Sequence, residues 1–209
     1  MHKKNEKEDP EDALFKLVKF HDQMWHYDEA LKLLRKLLSI SDDTENRAYY
    51  ELYMGSLMEK KEDFKAAVRH YRKALRLKPT NTPVLYFSNN NLGFSLNKLG
   101  KYKEGEKYCI AAIKTDDSMS NAYKNLGIAL EGQLRFKEAA ETYVKALRVN
   151  IGDCRPLKHL ETLLDSQPGL KSEFAEQLSL CRQAVDNDQK EFQIEQMKQE
   201  YNAKTSHPN

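Results

Sequence analysis

Six histidines and three cysteines are the residues with which this sequence could build a metal site or a nucleophile. The histidines form no H-E-x-x-H or H-x-E arrangement, and His21 and His26 are five residues apart, which places them on different faces of a helix. Cys109, Cys154 and Cys181 include no C-x-x-C pair, so the sequence predicts neither a zinc site nor a disulfide framework. We therefore expect no bound metal and a reducing compartment.

Serine and glycine patterns do not indicate catalysis either. No Ser lies in a G-x-S-x-G context, and no Gly-rich loop precedes a helix in a phosphate-binding pattern. Gly100, which follows Lys98-Leu99, is interpreted as a left-handed helix end. Cys109 stands where other copies of an internal repeat carry Leu or Tyr, so we expect it in the core. The sequence predicts no enzyme and no cofactor.

Charge and hydropathy limit the classes of partner. The 34 basic residues are interleaved with 32 acidic ones, which is typical of solvated helix faces and argues against a nucleic-acid partner. No apolar run approaches the roughly 20 residues of a membrane span, so we expect no membrane insertion. The first residues lack the apolar core of a secretory signal. These features predict a soluble, cytoplasmic protein.

The elements that must position any site follow from an internal repeat. The segment LGFSLNKLGKYKEGEKYCIAAI, which starts at Leu92, aligns with LGIALEGQLRFKEAAETYVKAL, which starts 34 residues later at Leu126. Gly93 falls on Gly127, and an earlier copy with Gly55 at the same place reads MGSLMEKKEDFKAAVRHYRKALRLKP. A fainter first copy contains Leu17, Tyr27, Ala30, Leu34 and Leu38.

The alternation of small and large residues within each copy has a packing reason. Gly in one helix, and Ala or Gly in the next, let two helix backbones approach closely, while Phe64 and Tyr71 fill the space between successive pairs. Apolar residues recur at helical spacing, as in Tyr143, Ala146 and Leu147. Because one helix pair cannot bury its own apolar face, the pairs are predicted to stack.

This pattern resembles the tetratricopeptide-repeat family over residues 11–164. The resemblance implies an all-α fold: a right-handed superhelical solenoid of stacked antiparallel helix pairs, with a concave face lined by the first helix of each pair. We predict about four repeats plus a half-repeat over 11–164 and a C-terminal capping and extension helix over 165–202. Residues 1–10 and 203–209 are predicted to be disordered tails.

Two local features qualify this organisation. Successive copies are 37 or 38 residues apart at the start of the chain, and the extra residues are predicted to lie in the connections 41–47 and 80–85, with Thr82 as N-cap before Pro83. The capping helix is predicted from an apolar stripe of Leu170, Phe174, Leu178, Cys181 and Val185. Asp186-Asn187-Asp188 is predicted to interrupt this stripe before a mostly charged helix.

The family resemblance places a candidate binding surface on first-helix positions that packing leaves free. Those positions hold Tyr49, Tyr53, Phe87, Asn90, Asn91, Phe94, Asn121, Lys124, Asn125, Arg155, Lys158 and His159. Aromatic and Asn side chains dominate its middle, and basic groups gather at its C-terminal end. Asn can bind a peptide unit as donor and acceptor, aromatics supply contact area, and basic groups can pair with a carboxylate.

Two alternatives remain open at this point. The Asn side chains can instead hydrogen-bond neighbouring backbone, and Tyr49 and Phe87 can belong to the core. The carboxylate clamp of chaperone-binding relatives needs Lys and Asn where this sequence has Asn90 and Phe94, so we do not predict that ligand. The prediction is a scaffold or adaptor that binds a peptide or helical segment of a partner protein. The alternative is a homo-oligomer assembled through the C-terminal helix or the solenoid ends.

Overall fold

The computed structural model of the chain describes residues 9–205, and the regular elements of this part are all α-helices. In order they are α1 (Pro10–Gln23), α2 (Tyr27–Ile40), α3 (Thr44–Lys60), α4 (Phe64–Arg76), α5 (Thr82–Lys98), α6 (Tyr102–Thr115), α7 (Ser120–Glu131), α8 (Phe136–Val149), α9 (Arg155–Ser166), α10 (Pro168–Glu173) and α11 (Ala175–Thr205). The chain divides into two compact units, residues 1–116 (unit 1) and 117–209 (unit 2).

Unit 1 consists of three consecutive helix pairs, α1/α2, α3/α4 and α5/α6, each joined by a short turn that returns the chain antiparallel to itself. One core forms where α1 and α2 meet α3, around Val18, Leu34 and Leu57. A second core forms where α3 and α4 meet α5, around Tyr71 and Leu92. Each pair thus buries its apolar face against the next pair, as the repeat predicts.

Three polar side chains set where the helices of unit 1 begin. The side chains of Asp43, Asp63 and Asn81 accept hydrogen bonds from backbone N–H groups at the starts of α3, α4 and α5, at 2.7, 2.9 and 3.1 Å. The N-cap of α5 is therefore Asn81, and the prediction of Thr82 was wrong. Helices α3 and α5 each span 17 residues, against 12 in α7, so the extra repeat residues mostly extend these helices rather than their connections.

The turn inside each helix pair places one residue in the left-handed region of the backbone. Gly100 has a φ of +70°, which confirms its predicted role at a helix end. The equivalent residues in the other pairs are Trp25, Glu62 and Leu134, with φ of 62°, 59° and 62°. Their exposed side chains follow from this geometry, since the turn holds them away from both helices.

The shared geometry inside two of the pairs comes from a tyrosine packed on a glycine. Tyr71 of α4 lies against Gly55 of α3, and Tyr143 of α8 lies against Gly127 of α7, so closely that a Cβ at either glycine would overlap the ring. Both rings are fully buried. Glycine at these positions therefore sets the distance between the two helices of a pair.

The pair α5/α6 reaches the same close approach with smaller groups. Cys109 takes the place of the tyrosine, with its Sγ against Gly93, and Gly105 faces the Asn97 side chain and the Gly93 carbonyl. Cys109 is fully buried, and burial raises its thiol pKa to about 12. The prediction that Cys109 belongs to the core is confirmed.

Unit 2 contains the pair α7/α8, followed by α9, α10 and α11. Phe174, Leu178, Cys181 and Val185 are buried in one core with α8 and α9, which confirms the predicted apolar stripe. The predicted interruption at residues 186–188 was wrong, because α11 runs unbroken from Ala175 to Thr205. Helix α1 begins at Pro10 and α11 ends at Thr205; residues 1–8 and 206–209 of the predicted tails lie outside the described residues.

The glycine–tyrosine contact predicts a large stability difference between two glycines of unit 2. Gly127→Ala should lower the free energy of unfolding by about 2 kcal/mol, because the new methyl group overlaps a buried ring that cannot move. Gly169→Ala is the matched control, since no atom lies within 4 Å of the added methyl group. Urea unfolding followed by circular dichroism measures both; equal effects would contradict the packing argument.

Candidate functional site

The first helices α3 and α5 each leave one narrow stripe of side chains accessible. On α3 the stripe is Tyr49, Tyr53, Ser56 and Lys60, at the helical spacing i, i+4, i+7, i+11. On α5 the stripe is Phe87, Asn91, Phe94 and Lys98, each 38 residues after its counterpart on α3. Since equivalent positions of two neighbouring first helices remain open, the two stripes form one candidate binding surface of unit 1.

The stripe on α3 is built on an aromatic cluster. Tyr49 and Tyr53 pack around Phe15 of α1, with ring centroids 5.2 and 5.5 Å away, and the Tyr53 ring meets Phe15 edge-on. Lys19 places its ammonium 4.9 Å from the Phe15 centroid. Both tyrosines are half-buried. They therefore belong to the packing between the first and second pairs and also present one edge to solvent.

A carboxylate anchors the end of the α3 stripe. The Tyr53 hydroxyl donates a hydrogen bond to Asp22 of α1 at 2.8 Å, and the Lys60 ammonium reaches both oxygens of the same carboxylate at 2.6 and 2.7 Å. Burial, with the hydrogen bond to Asp22, raises the pKa of Tyr53. The hydroxyl and the ammonium on this stripe are thus already engaged.

The stripe on α5 is the more open of the two. Phe87 is 39% exposed and touches only the edge of the neighbouring Tyr86 ring, at 5.1 Å between centroids. Phe94 packs edge-on against Phe64 of α4 at 6.1 Å, and the Lys98 ammonium lies 5.5 Å from the Phe94 centroid. Lys98 makes no ion pair with any described residue. This stripe therefore offers apolar area beside an uncompensated positive charge.

The two predicted asparagines of α5 differ in accessibility. Asn90 is buried and donates a hydrogen bond to the Asn91 side chain at 2.9 Å. Asn91 is half-buried, faces the Tyr71 hydroxyl, and lies on the accessible stripe. Asn90 thus orients Asn91 from beneath, and Asn91 is the member of the pair that a ligand can reach.

A buried carboxyl group beneath this surface was missed by the sequence reasoning. The Glu59 carboxyl accepts a hydrogen bond from Ser95 of α5 at 2.5 Å, and Tyr71 faces it from α4. Burial raises the pKa of Glu59 to about 7, although the hydrogen bonds from Ser95 and Tyr71 act in the opposite direction. The signal in the sequence is an acidic residue four positions after the repeat glycine, as Glu131 again follows Gly127.

In unit 2 the predicted basic residues converge on one amide oxygen. The Oδ1 atom of Asn121 accepts hydrogen bonds from Lys124 at 3.2 Å and from Arg155 at 2.9 Å. Arg155 also pairs with Asp153, at 2.7 and 2.9 Å, and Ser120 donates to the same carboxylate at 3.2 Å. The predicted basic end is therefore a cluster of two cations and one anion, with one net positive charge.

The other predicted residues of unit 2 divide between the interior and the surface. Lys124 and Asn125 are buried, and burial followed by the charge of Arg155 lowers the pKa of Lys124. His159 is half-buried and stacks on Tyr143 at 5.4 Å between centroids, with an angle of 15° between the rings. Lys158 is exposed. Only Asn121, Arg155, Lys158 and one edge of His159 are accessible.

Two further chemical functions find no support in residues 9–205. No group of three or more His, Cys, Asp or Glu side chains there is placed to hold a metal ion. No helix in the same span is both long enough and apolar enough to cross a membrane. The accessible chemistry of the first helices is that of a binding surface.

Comparison with known proteins agrees with the geometry. A family model for the tetratricopeptide repeat matches residues 47–81, which cover α3, α4 and the cap of α5. The small glutamine-rich tetratricopeptide repeat-containing protein 2 of Mycosarcoma maydis is 39% identical over 88 residues. The chain is a tetratricopeptide-repeat protein. That alignment covers 42% of this chain and 24% of the relative, so the chain spans about a quarter of the relative's length.

Solved structures show the same fold. MamA from Desulfovibrio magneticus RS-1, residues 41 to the end, superposes with a TM-score of 0.70 at 20% identity, covering 87% of this tetratricopeptide-repeat chain and 97% of MamA. YrrB, described as a TPR protein with an unusual peptide-binding site, superposes with a TM-score of 0.60 at 20% identity, covering 83% and 84%. The predicted fold class, an all-α stack of TPR-like helix pairs, is confirmed.

The raised pKa of Glu59 predicts how stability depends on pH. Because its pKa rises from 4.5 in the unfolded chain to about 7 in the folded one, its contribution to stability is lost as the pH rises across that range. Glu59→Gln should therefore stabilise the protein by about 2 kcal/mol at pH 8 and leave it unchanged at pH 4. Glu29→Gln, which removes an exposed carboxyl, is the control. Urea unfolding at both pH values measures the difference, and parallel profiles for wild type and Glu59→Gln would contradict it.

Proposed function

We propose that this protein is a scaffold or adaptor that binds a peptide or helical segment of a partner protein on the first-helix surface of unit 1. The observation that carries the proposal is the asymmetry of α5. Beyond its first turn this helix buries nearly every side chain, and it leaves Phe87, Asn91, Phe94 and Lys98 in line on one face. A phenylalanine at 39% exposure in an otherwise buried helix marks a contact surface for another chain.

The order of groups along α5 defines the partner's chemistry. The two phenylalanines supply apolar contact area, and Asn91 can donate to and accept from one peptide unit between them. Lys98, which lacks an anionic partner among the described residues, suits an acidic side chain at the next position of the ligand. The preferred segment thus carries apolar residues beside Asp or Glu. The peptide-binding description of YrrB supports this use of the fold.

Several parts of the proposal extend beyond this surface. We place the repeats over residues 11–164 and the capping and extension helix over 165–202. In unit 2, Asn121, Arg155, Lys158 and His159 are the proposed contacts, whereas buried Lys124 and Asn125 support them from beneath. We assign the chain no catalytic activity and no nucleic-acid partner. A cytoplasmic location stays a prediction.

Selection of random peptides on the immobilised protein tests the proposed surface directly. Peptides selected on the wild type should lose at least tenfold in affinity for the variant Phe87→Ala/Lys98→Gln, since the variant removes the exposed ring and the free charge. The control Ile110→Ala/Lys107→Gln makes the same kinds of change on exposed positions of α6 and should bind normally. Equal affinity for all three proteins, measured by fluorescence anisotropy, would refute the assignment of the surface.

A second candidate function, self-assembly, is favoured by a different observation. Leu17, Phe20 and Met24 form a stripe on α1 at i, i+3, i+7, and they are 49%, 53% and 52% exposed. Trp25, in the adjacent turn, is 77% exposed and extends this apolar area. Such a stripe suits the packing of a helix from a second copy of the chain.

Sedimentation velocity tests the second candidate. If copies associate through α1, the wild type should sediment faster as its concentration rises over about two orders of magnitude, and Phe20→Lys should remain a monomer throughout. Ile110→Lys places the same charge at an exposed apolar position of α6 and should behave like the wild type. A wild type that is monomeric at every concentration would exclude this candidate.

A further inference from the structure

A cavity in unit 2 lies apart from every first-helix stripe, between the last helix of the fourth repeat and the C-terminal helix. Val144, Leu147 and Ile151 of α8 and the turn after it form one wall, and Leu180, Cys181 and Ala184 of α11 form the other. Its volume is about 420 Å³, within the roughly 300–1,000 Å³ typical of ligand pockets. It is thus an apolar pocket large enough for one or two amino-acid residues of a ligand.

Two polar groups line this apolar pocket, one from each helix. The Arg148 guanidinium of α8 forms no ion pair with the described residues, and its side chain is exposed at the pocket. The Oε1 atom of Gln177, on α11, is buried and receives no hydrogen bond from the described part of the chain. A buried acceptor without a donor costs free energy, so a ligand that supplies an N–H group gains by entering.

The combination selects one kind of occupant. An alkyl carboxylate matches the apolar walls and Arg148, but it has no donor for Gln177. The last residue of a peptide chain has all three features: an apolar side chain, a free carboxylate and a backbone N–H group. The carboxylate suits the planar guanidinium, which can bind both of its oxygens.

We propose that this pocket binds the free carboxyl terminus of a partner polypeptide that ends in an apolar residue. The side chain fills the space between α8 and α11, the terminal carboxylate pairs with Arg148, and the last backbone N–H donates to Gln177. This site does not rest on the function proposed for unit 1, because none of its residues belongs to the first-helix surface.

Chemical-shift titration of the full-length, ¹⁵N-labelled protein tests the proposal with defined probes. The hexapeptide Gly-Ser-Gly-Ser-Gly-Leu with a free carboxylate should shift amides near residues 144–151 and 177–184. Its C-terminal amide should bind at least tenfold more weakly, since the pair with Arg148 is lost. Arg148→Gln should weaken the acid form about tenfold, to the level of the amide. Arg182→Gln removes the same charge from an exposed position of α11 outside the pocket and should not change binding.

Further arms make the outcome decisive. Ala184→Phe fills the mouth of the pocket from an exposed helical position and should abolish the shifts while unfolding remains cooperative. Absence of binding by the free acid, equal affinity for acid and amide, or an unaffected Arg148→Gln would each overturn the proposal. Binding of decanoate without binding of the hexapeptide would also overturn it and would indicate a site for an alkyl carboxylate. None of these outcomes bears on Phe87 or Lys98, so the surface on α5 is judged separately.

Discussion

The contact of a buried tyrosine ring with a glycine backbone is the constraint on which the repeats depend. In α3/α4 and α7/α8 the ring of Tyr71 or Tyr143 lies where any side chain on Gly55 or Gly127 would be. Ring and glycine together set the spacing of the two helices, because close-packed interiors yield little to added volume. The pair α5/α6 meets the same requirement with Cys109 against Gly93. Different side chains thus produce the same close approach.

This close approach also determines where polar groups can lie. The fourth residue after each close-approach position is Asp22, Glu59, Asn97 or Glu131, and in the described structure each faces a partner from a neighbouring helix. Asp22 is compensated by a lysine, whereas Glu59 receives only hydroxyl groups from Ser95 and Tyr71. Without a nearby cation, burial dominates and favours the neutral acid. The same position therefore carries a stable ion pair in one repeat and a pH-sensitive group in the next.

Packing on one side of each first helix leaves a narrow stripe on the other. On α3 this stripe is largely occupied by contacts with α1, through Phe15 and Asp22. On α5 it retains an exposed ring and an uncompensated ammonium. Compensation also separates the clusters of unit 2, where Asp153 neutralises Arg155 but Arg148 has no such partner in the described residues. Free charge beside apolar area distinguishes the surfaces suited to binding from those that only stabilise the fold.

The sequence by itself determined the helix pairs, the close-approach glycines, the burial of Cys109 and the apolar stripe of the C-terminal helix. These depend on residue type and on spacing along a helix, both of which can be read from the chain. Only the tertiary structure decided that Lys124 and Asn125 are buried, that Arg155 contacts Asn121, and that Glu59 meets Ser95. Such contacts depend on how the helices pack, and their distances follow from that packing. The continuity of α11 through three exposed or half-exposed polar residues has the same origin, since helix propensities are weak beside the packing of the preceding turns.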